Sequence, residues 1–348
     1  MKSLNPKSKN RNRNLVFIFF VLLSYSLFVF INREKLFQRF DSETVNRYLK
    51  SQDILDTEDK IKDRIFVSDE EIYITSGFLY ANGAKPTGYN FQHPPFIKYL
   101  FGLSAKYFNL PLLPNIIFAG ILLIEVYLLG QLVFKNHFVG LLASLLLLVD
   151  PVFKEVTIYA LLDLGQMVFI LGFIISTFYL KKHWIGQGVL LGLAIASKFY
   201  TPVIIFLGII YLFKIFTKQF VLKKELLVFV IASLVFSFTY LINFPFNIFF
   251  YQAKIIKFML DHNHAVEWGG VIPMFFGGYF MWPVLFFANL YQIFKTKYYE
   301  VSFVMFLLPA AYFLLLTFQL PFTRYFILIL PFLYLSLSKL ICEKLLAH

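Results

Sequence analysis

The ionisable side chains that could do chemistry are few in this chain, which is 59% hydrophobic and only 15% charged. In sequence order they are Asp69, Glu70, Glu71, His93, Glu125, Asp163, Lys198 and Arg324. A charge at the centre of a membrane span costs about 2.5 to 3.5 kcal/mol on insertion scales, so each is a functional candidate. Carboxylates can act as general bases, but a buried acid can instead pair with a lysine and hold two helices together. Both interpretations stay open for Asp163.

The elements that must position these residues are membrane-spanning helices. A soluble domain carries roughly 25% charged residues, so the composition excludes a soluble globule and a disordered chain. A basic tail, 1–14, precedes the apolar run 15–31. A signal peptide would look similar, but no small-residue cleavage site follows this run. Further apolar segments lie at 113–134, 138–152, 157–180, 184–198, 201–216, 226–243, 270–294, 300–320 and 325–342. The sequence therefore predicts an all-α polytopic membrane protein with about ten spans.

The distribution of lysine and arginine predicts how these spans are oriented. Basic residues concentrate in the N-terminal tail and in alternate loops, which places both termini in the cytoplasm by the positive-inside rule. The net charge of +12 then reflects the orientation of the spans in the membrane, and nucleic acid is not an expected partner. The long hydrophilic stretch 33–112 becomes an extracytoplasmic loop of a single membrane domain, 1–348, and its last part, 94–108, suits a helix on the membrane surface. In this orientation all the ionisable candidate residues except Glu125 fall in the extracytoplasmic half of the protein.

Four segments resemble the protein O-mannosyltransferases and their bacterial relatives. The stretch 66–103 contains Asp-Glu-x-x-Tyr followed by His-Pro-Pro and a surface helix, like the first outer loop of that family. LVDPVFKEVTIYALLDLGQMVF resembles the connection that leads to the family's membrane aspartate, which is Asp163 here. GVLLGLAIASKFYTP resembles its Gly-Leu-Ala-x-x-x-Lys hairpin with Lys198 at the tip, and TRYFILILPFLYL resembles the Arg-Tyr start of a late span, with Arg324. The four segments also agree in order and spacing.

The resemblance implies a GT-C-type glycosyltransferase, and specifically a short prokaryotic member. Such an enzyme moves a sugar, mannose or another hexose, from dolichyl or polyprenyl phosphate to an acceptor hydroxyl on the outer face of the cell membrane, with inversion. The acceptor could be protein Ser/Thr, a glycan or a lipid. Because the polyprenyl tail dissolves only in lipid, the site must lie at the bilayer edge. No cofactor is implied. A divalent metal is left open, although Gln92 replaces an acid that related proteins often recruit for one.

The resemblance also implies roles for the acidic turn of the outer loop. Asp69 matches the family's catalytic aspartate, a general base for the acceptor hydroxyl. Glu70 and Tyr73 complete the signature and would orient the loop or the sugar. Glu71 lies outside the pattern and is expected to be solvated. The competing interpretation is that all three acids form a solvated turn.

The remaining candidates are assigned to the donor. His93, Lys198 and Arg324 would contact the donor phosphate, because cations stabilise the charge that grows on a leaving phosphate. Snorkelling at the membrane interface is the alternative for the two cations. Asp163, expected about 9 Å inside its helix, would support the site. Relatives commonly carry an arginine five residues before this aspartate, where this chain has Ile158.

Glu125, near the middle of the second span, has no counterpart in the family, and a helix–helix contact is expected for it.

Two other functions compete with the enzyme. A transporter or flippase of a lipid-linked sugar would also have about ten spans, but it would show paired broken helices and repeat symmetry around a midplane site. Neither feature is visible in the sequence. A noncatalytic family member is the other alternative, because the common arginine is missing.

Overall fold

The computed structural model of the protein describes residues 6–51, 64–180, 182–240, 252–253, 255–257, 270–318 and 322–345. Within these ranges the chain is helical, and an isolated bridge between Ser51 and Ile65 is the β pairing it contains. The prediction of an all-α protein is confirmed. The helices are α1 (Pro6–Ile31), α2 (Arg33–Leu36), α3 (Glu43–Leu49), α4 (Asp69–Ala81), α5 (Phe96–Phe108), α6 (Leu113–Phe134), α7 (His137–Leu148), α8 (Pro151–Ile158), α9 (Leu162–Tyr179), α10 (Trp184–Ser197), α11 (Thr201–Phe216), α12 (Leu222–Phe238), α13 (Val271–Gly278), α14 (Met281–Lys295), α15 (Val301–Leu316) and α16 (Leu330–Leu345), with a 3₁₀ helix at Thr323–Leu328.

Several of these helices are apolar enough to cross a membrane. Three qualify by length and composition among the described residues, namely Asn14–Ile31, Leu113–Phe134 and Leu162–Tyr179. The helices α7, α10, α11 and α15 are apolar but shorter, at 10–17 residues. A straight span needs about 20 residues, so the predicted total of about ten spans remains a prediction.

Two of the predicted spans are broken. The segment 157–180 divides into α8 and α9, because Tyr159 and Leu161 between them are extended. The segment 270–294 divides into α13 and α14, which meet at a bend of 107°. The structure thus contains broken helices that are not visible in the sequence. Asp163 consequently lies in the first turn of α9 rather than about six residues inside a continuous span.

Buried side-chain hydrogen bonds hold both ends of α8, the helix that precedes the first of these breaks. Asp150 caps α8 by accepting from Val152 N at 2.7 Å, and Pro151 occupies the first turn, where its missing N–H costs nothing. At the other end, the Asn115 amide donates to the carbonyls of Val156, Thr157 and Tyr159. These bonds satisfy carbonyls that the interrupted helix leaves without partners.

The long hydrophilic stretch 33–112 carries two helices, α4 and α5, that pack closely on each other. They cross where Gly77 meets Gly102, and a Cβ on either glycine would overlap backbone atoms of the other helix. The crossing leads directly to the site, because α4 begins at Asp69 and α5 follows His93. The helix predicted at 94–108 is present as α5.

Gly102→Ala should lower the melting temperature of the detergent-solubilised protein, because overpacking of this kind costs about 1–3 kcal/mol or more. Gly208→Ala is the control, since a Cβ on Gly208 in α11 has no atom within 4 Å. Thermal unfolding measures both variants. Equal melting temperatures for the two would show that the crossing is not as tight as described.

Candidate active site

Asp69 lies in the first turn of α4, where a capping box fixes the start of the helix. Ser68 Oγ accepts from Glu71 N at 3.3 Å, and Glu71 Oε2 accepts from Ser68 N at 3.1 Å. Glu71 also pairs with Arg47 at 3.1 Å. The expectation that Glu71 is merely a solvated charge is therefore wrong, since it holds the turn that presents Asp69. Acidic groups in a first turn are also stabilised by the helix dipole.

The carboxylate of Asp69 forms an ion pair with Arg324 of the 3₁₀ helix. The Arg324 guanidinium also lies 4.6 Å from the ring centroid of Phe322 and 5.6 Å from that of Tyr325. Thr323, one residue earlier, donates its hydroxyl to Glu155 Oε2 at 2.8 Å, which anchors the 3₁₀ helix on α8. The structure thus brings together two candidates that are far apart in sequence.

A second ion pair joins Lys198 and Asp163, whose Nζ and Oδ1 atoms are 2.5 Å apart. Asp163 is 1% exposed and Lys198 7%, so this pair is buried. Lys198 Nζ also lies 4.5 Å from the ring centroid of Tyr325, which places Tyr325 next to both cations of the site. Gln166, one turn after Asp163, donates to the carbonyls of Ala194 and Phe199 and so fixes the end of α10 where Lys198 lies.

His93 stands beside Tyr73, with the two rings edge to face at 5.8 Å. Its Nδ1 is buried and has no hydrogen-bond partner in the described part of the chain. Withdrawal from solvent, and then the nearby positive charges of Lys198, Lys98 and Arg324, lower the pKa of His93 well below its ordinary value. The imidazole is therefore neutral at pH 7 and can donate one hydrogen bond and accept another.

The loop that carries His93 is held by Lys98, a fully buried residue of α5. Its ammonium donates to the Asn90 carbonyl at 2.6 Å, to Asn90 Oδ1 at 3.1 Å and to the His93 carbonyl at 2.8 Å. Lys98 is not among the residues predicted for the site, because the alternating apolar and basic residues of this segment are typical of a membrane-surface helix. The signal that could have found it is its distance of five residues from His93.

Glu70 and Tyr73 complete the α4 side of the site. Glu70 Oε2 pairs with Lys35 of α2 at 3.0 Å, and Glu70 Oε1 accepts from Ala160 N at 3.4 Å. Glu70 therefore connects the start of α4 to the break between α8 and α9. Burial, followed by the charge of Asp69, raises the pKa of Tyr73 well above its ordinary value, so the phenol stays protonated.

Glu125 lies apart from this cluster, on α6. It packs against α9, where a Cβ on Gly172 would be 3.0 Å from Glu125 Oε1. This is the helix–helix contact expected for it. The described residues contain no group of three or more His, Cys, Asp or Glu side chains that could hold a metal ion.

Comparisons with known proteins identify the fold. No protein family and no curated protein matches the chain. Two solved structures of ArnT from Cupriavidus metallidurans do match it, each at 15% sequence identity. The structure bound to undecaprenyl phosphate has a TM-score of 0.65, with 91% of this chain and 60% of ArnT covered. The apo structure has a TM-score of 0.62, with 96% and 60% covered. The chain thus spans 60% of the length of ArnT, and its GT-C-type fold is confirmed.

Lys98→Met should raise the pKa of His93, because the removal of a nearby positive charge favours protonation of the imidazole. Lys106→Met on the same helix is the control, since Lys106 is exposed and donates to the Ala81 carbonyl at 2.8 Å. NMR titration of histidine-labelled protein measures the pKa in both variants, with His93→Gln used to assign the signal. If the pKa of His93 were unchanged in both variants, Lys98 would not lie close enough to His93 to affect its protonation.

Proposed function

We propose that this protein is a polyprenyl-phosphate-dependent glycosyltransferase whose active site lies at the extracytoplasmic edge of the cell membrane. The observation that carries the proposal is the convergence of Asp69, His93, Lys198 and Arg324 on one site. The fold supports it, since the ArnT structure of the same fold was solved with undecaprenyl phosphate bound. The donor would be a polyprenyl-phosphate-linked hexose, with mannose favoured by the motif resemblance. The acceptor would be a hydroxyl of protein Ser/Thr, a glycan or a lipid.

Asp69 would act as the general base of the reaction. Its side chain is 38% exposed, so an acceptor hydroxyl can reach it from the extracytoplasmic side. The carboxylate takes the hydroxyl proton while the oxygen attacks the anomeric carbon, and the bond from that carbon to the phosphate oxygen breaks. Attack opposite the leaving phosphate inverts the anomeric configuration. A positioned base contributes about 10² to 10⁴ in rate.

Lys198, Arg324 and His93 would serve the donor. The guanidinium can bind a phosphate in a fork, whereas the ammonium acts as a point charge. Both stabilise the negative charge that develops on the polyprenyl phosphate as it leaves. The neutral His93 contributes Nδ1, which points to a hydrogen bond with the phosphate or the sugar. Asp163 holds Lys198 in place, and Glu70 and Tyr73 hold the loop.

The transporter alternative gains one observation, because broken helices are present. The polar residues next to the break at 159–161 nevertheless gather with the outer-loop helix α4. A transporter site formed by broken helices would instead be expected near the midplane. A glycosyltransferase therefore accounts for the position of Asp69 on α4, whereas a transporter would give this residue no role.

Asp69→Asn should lower sugar transfer by at least about a hundredfold, since the amide cannot take the hydroxyl proton. Glu71→Gln is the matched control, because it removes one charge from the same turn while a glutamine preserves the capping box. Purified protein in lipid is incubated with a panel of radiolabelled polyprenyl-phosphate sugars and an acceptor mixture, and released polyprenyl phosphate is measured. Near-normal turnover by Asp69→Asn would remove the base assignment.

A further inference from the structure

Each of the two cations assigned to the donor phosphate is already neutralised by a carboxylate. Arg324 pairs with Asp69, and Lys198 pairs with Asp163. A phosphate that enters the site therefore meets two closed ion pairs, and it must compete with an aspartate for each cation. The two pairs differ in burial, and that difference determines which one opens.

The Lys198–Asp163 pair is the one that should stay closed. Its side chains are 9% and 1% exposed. Separating a buried pair leaves a charge without compensation, which is strongly unfavourable. The Asp69–Arg324 pair is more open, with 38% of the Asp69 side chain exposed. Water can solvate this carboxylate when its partner leaves, so its ion pair is the weaker of the two.

Arg324 has the capacity to bind a second anion. Its Nε is buried without a hydrogen-bond partner in the described part of the chain, although a guanidinium has five N–H donors. The Thr323–Glu155 hydrogen bond anchors the residue next to Arg324, and the rings of Phe322 and Tyr325 flank its guanidinium. A small movement of the side chain can then transfer Nη1 from the carboxylate to a phosphate.

We propose that the Asp69–Arg324 ion pair is a latch that keeps the general base occupied until the phosphate of a lipid-linked donor takes over Arg324. This inference rests on the proposed function. While the latch is closed, the guanidinium covers an oxygen of Asp69 that must accept the hydroxyl proton. When the phosphate binds Arg324, that oxygen is released to the acceptor. The donor therefore binds before the acceptor can be deprotonated, because without a donor one carboxylate oxygen of Asp69 stays paired with Arg324.

The test measures binding of undecaprenyl phosphate to purified protein in detergent micelles, with undecaprenol as the ligand that lacks a phosphate. Asp69→Asn should bind undecaprenyl phosphate about tenfold more tightly than the wild type, because one charged hydrogen bond no longer competes for Arg324. The same variant loses turnover. Glu71→Gln removes an equal charge from the same helical turn and should change the affinity by less than about twofold, because its charge is screened and already paired elsewhere.

A double-mutant cycle checks that the effect passes through Arg324. Arg324→Gln should weaken binding of undecaprenyl phosphate, and Asp69→Asn should give no further tightening in that background. The latch would be overturned, with the donor site still supported, if Asp69→Asn bound undecaprenyl phosphate no more tightly than Glu71→Gln does. It would also be overturned if Asp69→Asn tightened binding equally in the wild-type and Arg324→Gln backgrounds. A wild-type protein that does not prefer undecaprenyl phosphate to undecaprenol would instead overturn the proposed function, and the latch with it.

Discussion

The constraint on which the rest of the structure depends is that a charge taken out of water must be paired with an opposite charge or, like the Lys98 ammonium, satisfied by hydrogen-bond acceptors. Within the described part of the chain this rule accounts for two buried ion pairs, Lys198–Asp163 and Lys214–Glu225, and for a more exposed one, Arg324–Asp69, in which the arginine side chain is 14% exposed. Lys214–Glu225, at 2.8 Å, connects α11 to α12. The other two join neighbouring parts of one site. Because desolvated charges are costly, each pairing fixes how the elements that carry it can be arranged.

Interruptions of the helices place some of the polar groups of the site where they can form these contacts. The interruption between α8 and α9 places Asp163 in a first turn and leaves the Ala160 N–H available to Glu70. The 3₁₀ helix presents Arg324 and Tyr325 on successive positions, and both contact the site. Irregular backbone in a membrane protein is tolerated where other parts of the protein cover it and satisfy its hydrogen bonds. Here the Asn115 amide does so for carbonyls next to the break between α8 and α9. The same irregularities that make the spans hard to count therefore form the site.

Much of this arrangement could be predicted from the sequence. Low charge and apolar runs indicate a polytopic helical membrane protein, and the motif around Asp69 and His93 indicates where the polar residues gather. The start of α8 could have been found at Asp150-Pro151, a typical helix start, and the capping box at Ser68 and Glu71 matches a known signature. The choice of partner for each charge could not be predicted. It depends on contacts between residues as distant as Asp69 and Arg324, which no local pattern encodes.

The proposed reaction depends most directly on which side of the membrane carries Asp69. Lys85 is exposed between α4 and α5, and Lys135 is exposed between α6 and α7. In a Cys342→Ser background, Lys85→Cys and Lys135→Cys can each be treated in intact cells with a maleimide that does not cross membranes. We expect Lys85→Cys to be labelled in intact cells and Lys135→Cys only after permeabilisation. The reverse pattern would place Asp69 in the cytoplasm, on the wrong side for the proposed reaction.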